Sequence, residues 1–377
     1  MDRYDFAVAG AGPAGSAFAL LATRAGYRVL LAERSRFTAH RFGETAPPEL
    51  RVALTRIGLD RLTKQPFCND APALMSVWGS DQPASRNHIA SPYGSGLHLD
   101  RRAFDEALAS AARDAGADLK LGHAAHFVPE AGKGYAVLLE GGERAYANFA
   151  ILATGRTGGN LGLPYARRYL DDNIAVAAHF DSPIGTAEMP TLVEATRGGW
   201  FYFAASPAGK FVVVLVTSAS LVPTGRDTRL RWWLEKLAGT RLVRSALNGC
   251  PVPHTLSVLN ARGSCAQKGG GRDWLAIGDA RIAPDPLSGQ GIHWAINDAE
   301  TVAELMSHLE LSAIAEHMQA KTEREVGQYL NDRRDAYARE RRFTSDPYWV
   351  AACSQGDRIV SVSTPDLRKP LPDRPRA

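Results

Sequence analysis

The sequence predicts an α/β protein, and three observations predict it. An N-terminal strand runs through a Gly-rich turn into a helix and then a second strand that ends in an acid. A strand closed by Gly-Asp, a second Gly-rich turn and a helix follow near residue 280. Between these units several runs read as strands. The chain has 377 residues, above the roughly 250–300 at which one hydrophobic core stops growing, so two domains are expected. Apolar residues make up 45% and charged residues 22%, which excludes a disordered, collagen-like or coiled-coil chain.

The elements follow in order. Residues 4–9 (YDFAVA) form a short apolar run with aromatic and β-branched members, and read as a buried strand. They lead into Gly10-Ala11-Gly12-Pro13-Ala14-Gly15, a helix over 16–25 stopped by Gly26, and a strand over 28–32 closed by Glu33 and Arg34. This is the full dinucleotide-binding context. Gly10 permits the tight turn, Gly12 lets backbone approach a pyrophosphate, and Gly15 lets the helix pack close to the strand. The helix N-terminus offers free N–H groups to phosphate. A carboxylate at Glu33 accepts from ribose hydroxyls and repels a 2′-phosphate, which disfavours NADP there and leaves FAD and NAD.

Further along, 103–115 reads as a helix stopped by Gly116, 118–149 as a β-meander with Gly turns, and 149–153 as a buried strand. Residues 174–216 hold the strands of a second sheet, 232–238 a helix and 255–259 a returning strand. Residues 274–280 (WLAIGDA) form the strand ending in Gly278-Asp279. Pro284-Asp285-Pro286-Leu287-Ser288-Gly289-Gln290-Gly291-Ile292 follows and opens a helix near Ile292. Residues 312–342 are helical by period, and the Pro-rich tail over 364–377 is expected to be mobile.

Charge and cysteine usage narrow the function class. Net charge is +4 without a Lys/Arg block, so no nucleic-acid partner is expected. Four scattered cysteines, without a C-x-x-C pair, fit reduced thiols in a cytoplasmic protein, and no metal-ligand spacing stands out. Residues 6–23 lack charge but are rich in Gly and Ala, a poor membrane span, and no secretory signal opens the chain.

With both Gly-rich units in place, the sequence resembles the flavin-dependent monooxygenase superfamily of the para-hydroxybenzoate hydroxylase fold. Gly43-Glu44-Thr45 followed by Pro47-Pro48 resembles the flavin loop of its halogenase-like branch. Leu99-Asp100-Arg101-Arg102 resembles the junction holding an arginine that reaches the FAD phosphates. Gly199-Trp200-Phe201-Tyr202-Phe203 resembles a hairpin of its substrate sheet. The resemblance implies a discontinuous Rossmann-type FAD domain (1–75, 98–165, 270–310), an intertwined β-sheet substrate domain (76–97, 166–269) and a helical C-terminal segment (311–350).

It also implies FAD held by Gly10, Gly12, Pro13, Ala14, Gly15, Glu33, Arg34, Glu44, Thr45, Arg102 (Arg101 being the other candidate), Gly155, Asp279, Pro286, Gly289, Gln290, Gly291 and Ile292. Free N–H groups at residues 289–292 would face the flavin N1–C2 edge. Glu44, His293 and His254 are the candidates for acid–base work, and Trp200, Tyr202 and Phe203 for lining an aromatic substrate. His98 reads as structural.

The implied activity is hydroxylation of an electron-rich aromatic ring through a flavin C4a-hydroperoxide, with NAD(P)H or a flavin reductase as electron donor. Arg333, Arg334, Arg339, Arg341 and Arg342, set among Tyr337, Phe343, Tyr348 and Trp349, read either as a helix capping the fold or as a surface for a large partner. Together with the three loops they resemble flavoproteins that modify a tryptophan residue of a partner protein in quinone cofactor biogenesis. Small-molecule hydroxylases, halogenases, isoprenoid reductases of the same fold and a non-catalytic binding chaperone are the alternatives. Two departures bear on them. Ala153-Thr154-Gly155-Arg156 replaces the family's Asp-Gly motif that docks NADPH. No lysine lies between Arg34 and Leu62, where halogenases need one.

Overall fold

The computed structural model describes residues 2–88, 91–130, 134–182 and 189–354. The expected mobile tail at 364–377 lies outside them. The first sheet has seven strands. Asp118–Leu121, Val29–Glu33, Asp2–Ala9 and Arg144–Leu152 run parallel side by side, with Trp274–Ala276 parallel to the last. Tyr135–Leu139 and Ala125–Pro129 extend it antiparallel. The expected meander over 118–149 is therefore only its later part: 118–121 is a parallel edge strand beside 29–33. Likewise 149–153 is the end of one long strand that serves both halves.

Alternation within each strand builds two cores. Phe6, Val8, Phe149 and Ile151 face helices α1 (Pro13–Arg24), α3 (Arg101–Asp114) and α6 (Gly291–Leu305). Helix α2 (Glu49–Arg56) packs against α6. Ala7, Ala9, Ala150 and Leu152 face Phe127, Tyr135 and Tyr165. Helix α1 starts on Pro13, whose missing N–H costs nothing at a first helical position. Helix α3 starts on Asp100, whose carboxylate accepts from the N–H groups of Arg102 (3.1 Å) and Ala103 (3.3 Å).

The second sheet runs Ser257–Asn260, Asn173–Asp181, Lys210–Ser218, Gly199–Ser206, Thr191–Thr196, Ala73–Val77, Ala84–Asn87. One face packs Phe201, Phe203, Val213 and Leu215 against α4 (Arg226–Ala238) and α5 (Leu242–Ala246). The other carries Trp200, Tyr202 and Val214, and meets Tyr337 of α7 (Leu311–Ala338) and Trp349 of α8 (Pro347–Ser354). Phe42, just before Gly43, and Leu287, from the second Gly-rich loop, pack against that same cluster. Two three-stranded sheets complete the fold, Thr45–Ala46 with Gly96–Leu99 and Cys68–Ala71, and Arg167–Tyr169 with Ser264–Ala266 and Ile282–Ala283. No helix among the described residues is long and apolar enough to cross a membrane.

Candidate active site

The three glycines of the first turn differ in what requires them. Gly10 has φ +106, and a Cβ there would overlap the carbonyl oxygen of Ala153; a Cβ at Gly15 would overlap the carbonyl oxygen of Gly10. The chain itself demands both. Gly12 has φ −74 and ψ −174, a conformation open to any residue, and a Cβ would meet nothing within 4 Å. Neither strain nor crowding explains it, so the space beside Gly12 is a cradle for something outside the chain. The N–H groups of Ala14 and Gly15, in the first turn of α1, have no helical partner and border that cradle. A dinucleotide pyrophosphate fits it.

Glu33 is buried and closes the turn. It accepts from Ala11 N–H at 2.9 Å, Ser35 N–H at 3.0 Å and Arg41 Nη2 at 3.0 Å. Arg41 also pairs with Asp105 at 2.9 Å. Arg34 is exposed and makes no hydrogen bond or ion pair among the described residues. The two arginines of the 99–102 junction point in different directions. Arg102 turns to Glu106 and to Asp100, the residue that caps its own helix. Arg101 takes the inward position: it binds Asp105 at 3.1 Å, donates to the Phe42 carbonyl at 2.9 Å and fills the place where a Cβ on Gly43 would stand. Burial works against its charge, but Asp105, Glu44 and Asp279 together raise its pKa.

Asp279 lies in the turn Gly278–Ala280 and pairs with Arg156 at 3.4 Å. Arg156 also binds the carbonyls of Arg262 and Pro284, and Arg167 bridges the carbonyls of Gly155 and Asp279. The next turn carries Pro286 on its exposed side and ends on Gly289 with φ +62. Of the four N–H groups expected to be free, Gly289 donates to Pro286 and Gln290 to Ser288 Oγ. Gly291 and Ile292, the first residues of α6, keep theirs without a helical partner.

Glu44 is buried, and neither Arg41 nor Arg51 pairs with it. Its carboxylate accepts from Gly43 N–H at 3.0 Å and meets His40 Nε2 at 3.2 Å. His179, from the Asn173–Asp181 strand, sets its ring edge-on to His40 at 4.1 Å. Its pKa falls to about 4, first because it is buried and then because His40 is near. Thr45 joins a relay. Tyr202 OH donates to Thr45 Oγ1 at 2.7 Å, Thr45 meets Thr191 at 3.2 Å, and Thr191 meets His98 Nε2 at 3.1 Å. Burial, then Glu44, raises the Tyr202 pKa well above its ordinary value, so the phenol stays a donor.

Several expected site residues fall elsewhere. Phe203 points to the opposite face of the sheet from Trp200 and Tyr202, because strand side chains alternate. Trp200 is fully buried and donates to Tyr337 OH at 2.9 Å, a core position. His293 is held within α6 by Gln290 (3.1 Å) and Asn297 (3.0 Å), on the side facing Arg56 and Glu49 of α2. His254 is exposed beside Pro253, a lining residue of a cleft of about 260 Å³ behind the second sheet. Of the three acid–base candidates, Glu44 is the buried one, set beside His40 and His179. Sequence reasoning missed His40, His179, Arg156 and Arg167. His40 carried a weak signal, four residues before Glu44; the others had none.

No family model matches the chain. It is 26% identical over 357 residues to LodB of Marinomonas mediterranea, assigned as an FAD-dependent oxidoreductase, covering 93% of this chain and 96% of that one. It is 28% identical over 321 residues to a menaquinone reductase of Mycolicibacterium smegmatis, covering 81% and 76%. Among solved structures, the myxobacterial chondrochloren halogenase CndH superposes with a TM-score of 0.81 at 20% identity, covering 93% and 86%. The peptidyl tryptophan dihydroxylase QhpG, essential for tryptophylquinone cofactor biogenesis, superposes with a TM-score of 0.75 at 24% identity, covering 93% and 78%. The chain has the fold of FAD-dependent halogenases and hydroxylases.

Proposed function

We propose that this chain hydroxylates an electron-rich aromatic ring, and that the ring is a tryptophan side chain of a partner protein. The chain is an FAD-dependent oxidoreductase of the halogenase-like fold. FAD fits the residues present. The open space at Gly12 and the N–H groups of Ala14 and Gly15 suit its pyrophosphate, and Asp279 with the N–H groups of Gly291 and Ile292 suits its other end. When bound, FAD supplies the electron pair and the activation of oxygen.

The observation that carries the hydroxylase reading is Glu44 with His40 and His179. Glu44, a buried carboxylate in the 43–48 loop with His40 beside it at 3.2 Å, can take the proton that an aromatic ring gives up on oxygenation. His40 is a third exposed and links that carboxylate to solvent. Tyr202, through Thr45, and Phe42, against His40 and His179, add aromatic surface beside this cluster. Halogenation is not favoured. No lysine lies between Arg34 and Leu62, around the Glu44 loop. The likeness to QhpG, a peptidyl tryptophan dihydroxylase, supports the protein-bound tryptophan as target.

A second reading, reduction of an isoprenoid double bond, is favoured by the likeness to menaquinone reductase. Oxygen uptake by the photoreduced, FAD-loaded enzyme separates the two. A tryptophan-containing peptide should couple uptake to product formation. Anaerobic reoxidation with saturation of one side-chain double bond of a prenylated menaquinone analogue, its quinone ring unchanged, and with peptide inert in air, would favour the reductase.

A further inference from the structure

We propose that His40, Glu44 and His179 form a binding site for one divalent transition-metal ion of the zinc type. Each offers one ligand atom, and the three atoms lie within 4.8 Å of one another. Tetrahedral zinc, with bonds of about 2.0–2.2 Å, needs ligand atoms about 3.3 Å apart. The His40–Glu44 pair already stands at 3.2 Å, so closure asks only an approach of His179.

A second, independent observation points to a ligand. Nε2 of His179 is buried and has no hydrogen-bond partner. A buried polar atom left so is normally answered by a water, an ion or a ligand. Two imidazoles and one carboxylate, with the remaining positions open, are a ligand set for zinc or ferrous iron.

The supports are rigid on two sides and open on the third. His179 sits within the Asn173–Asp181 strand, and Glu44 is pinned by Gly43 N–H immediately before the Thr45–Ala46 strand. Phe42 packs against both imidazoles, at 5.0 Å and 5.2 Å between ring centres. His40, a third exposed, gives an ion a way in. An ion bound there takes up the carboxylate and imidazoles that would otherwise move protons, so it inhibits turnover. That consequence rests on the hydroxylase reading; the existence of the site does not.

The test uses the FAD-loaded protein after chelator treatment. Co²⁺ is titrated and read by its visible d–d bands, and Zn²⁺ affinity is read by competition with a chromogenic chelator. One ion per chain is expected, with tetrahedral or five-coordinate Co²⁺ spectra. His179→Gln and His40→Asn should each weaken binding at least tenfold, while the exposed-histidine control His317→Asn leaves it unchanged. Retained flavin absorbance certifies each variant; if His179→Gln loses flavin, His40→Asn carries the comparison. Binding that survives both substitutions, or no Co²⁺ spectrum at millimolar ion, overturns the proposal. Neither readout needs turnover, so a failed hydroxylation assay and a failed metal site are told apart.

Discussion

Arg333 and Asp285, 48 positions apart, meet in the core: the arginine Nε donates to the aspartate Oδ2 at 3.2 Å. Tyr337 OH donates to the same oxygen at 2.9 Å, and Asn173 Nδ2 at 3.0 Å. The other carboxylate oxygen accepts from Leu287 N–H at 2.9 Å. Helix α7 thus holds the second Gly-rich loop in place. Burial works against the Arg333 charge, but Asp285 and the groups around it hold its pKa up. Burial pushes neighbouring Asp171 up to about 6, with Arg333 opposing and Asp285 adding. The Arg-rich C-terminal segment is, at Arg333, Tyr337 and Trp349, part of the core.

Removing the arginine should therefore be costly. Arg333→Gln leaves two buried carboxylates without their counter-charge, and losses for such broken pairs are about 3 kcal/mol or more. Denaturant unfolding of wild type and variant checks this, and the variant should also hold FAD more weakly. A loss below about 1 kcal/mol would mean the loop does not depend on α7.

Gly12 and Gly15 should fail in different ways. Gly12→Ala meets nothing in the chain, so the apoprotein should fold with wild-type stability while losing FAD. Gly15→Ala drives a methyl group into the Gly10 carbonyl and should reduce soluble yield outright. Circular dichroism with flavin content per chain distinguishes the two outcomes. FAD retained at wild-type affinity in Gly12→Ala would remove the cradle assigned here.

Arg101 and Arg102 should separate as sharply. Arg101→Gln should raise the dissociation constant for FAD at least tenfold. Arg102→Gln should change it less than twofold, since its exposed pairing with Glu106 is worth about 0–1 kcal/mol. Fluorescence titration of the apoprotein with FAD reads both.

His98 predicts a pH dependence. Burial lowers its pKa to about 4 from an ordinary 6.5. The unfolded chain accepts a proton in that window and the folded chain refuses it. The contribution of His98 is thus complete above pH 6.5 and is lost as the pH falls toward 4. Between pH 7 and pH 5 the loss is about 2 kcal/mol. His98→Gln should flatten the fall in unfolding free energy over that range by a similar amount. An equal slope in both proteins would place His98 in contact with water.

The sequence made the local chemistry legible and left directions open. Gly10, Gly15 and the Gly278-Asp279 turn follow from strand–turn–helix patterns confined to a few neighbours. Adjacent residues on a helix point about 100° apart, so a pattern naming Arg101-Arg102 does not say which one faces the site; Asp105 and the Phe42 carbonyl decide it. Phe203 was legible in principle, because its parity along the strand differs from that of Trp200 and Tyr202. His179 was not, because a strand far along the chain brings it to Glu44 through sheet packing, without any local spacing. Arg333 and Asp285 likewise meet only through the packing of α7.

Oxygen-18 labelling tests the central claim most directly. Photoreduced, FAD-loaded enzyme is mixed with ¹⁸O₂ and a tryptophan-containing peptide, and the peptide is mapped by tandem mass spectrometry. The account predicts oxygen-18 on the indole ring, dependent on reduced flavin and lost in Glu44→Gln. Unlabelled peptide, with all the oxygen recovered as hydrogen peroxide and a side-chain double bond of a prenylated menaquinone analogue saturated without air, would contradict it.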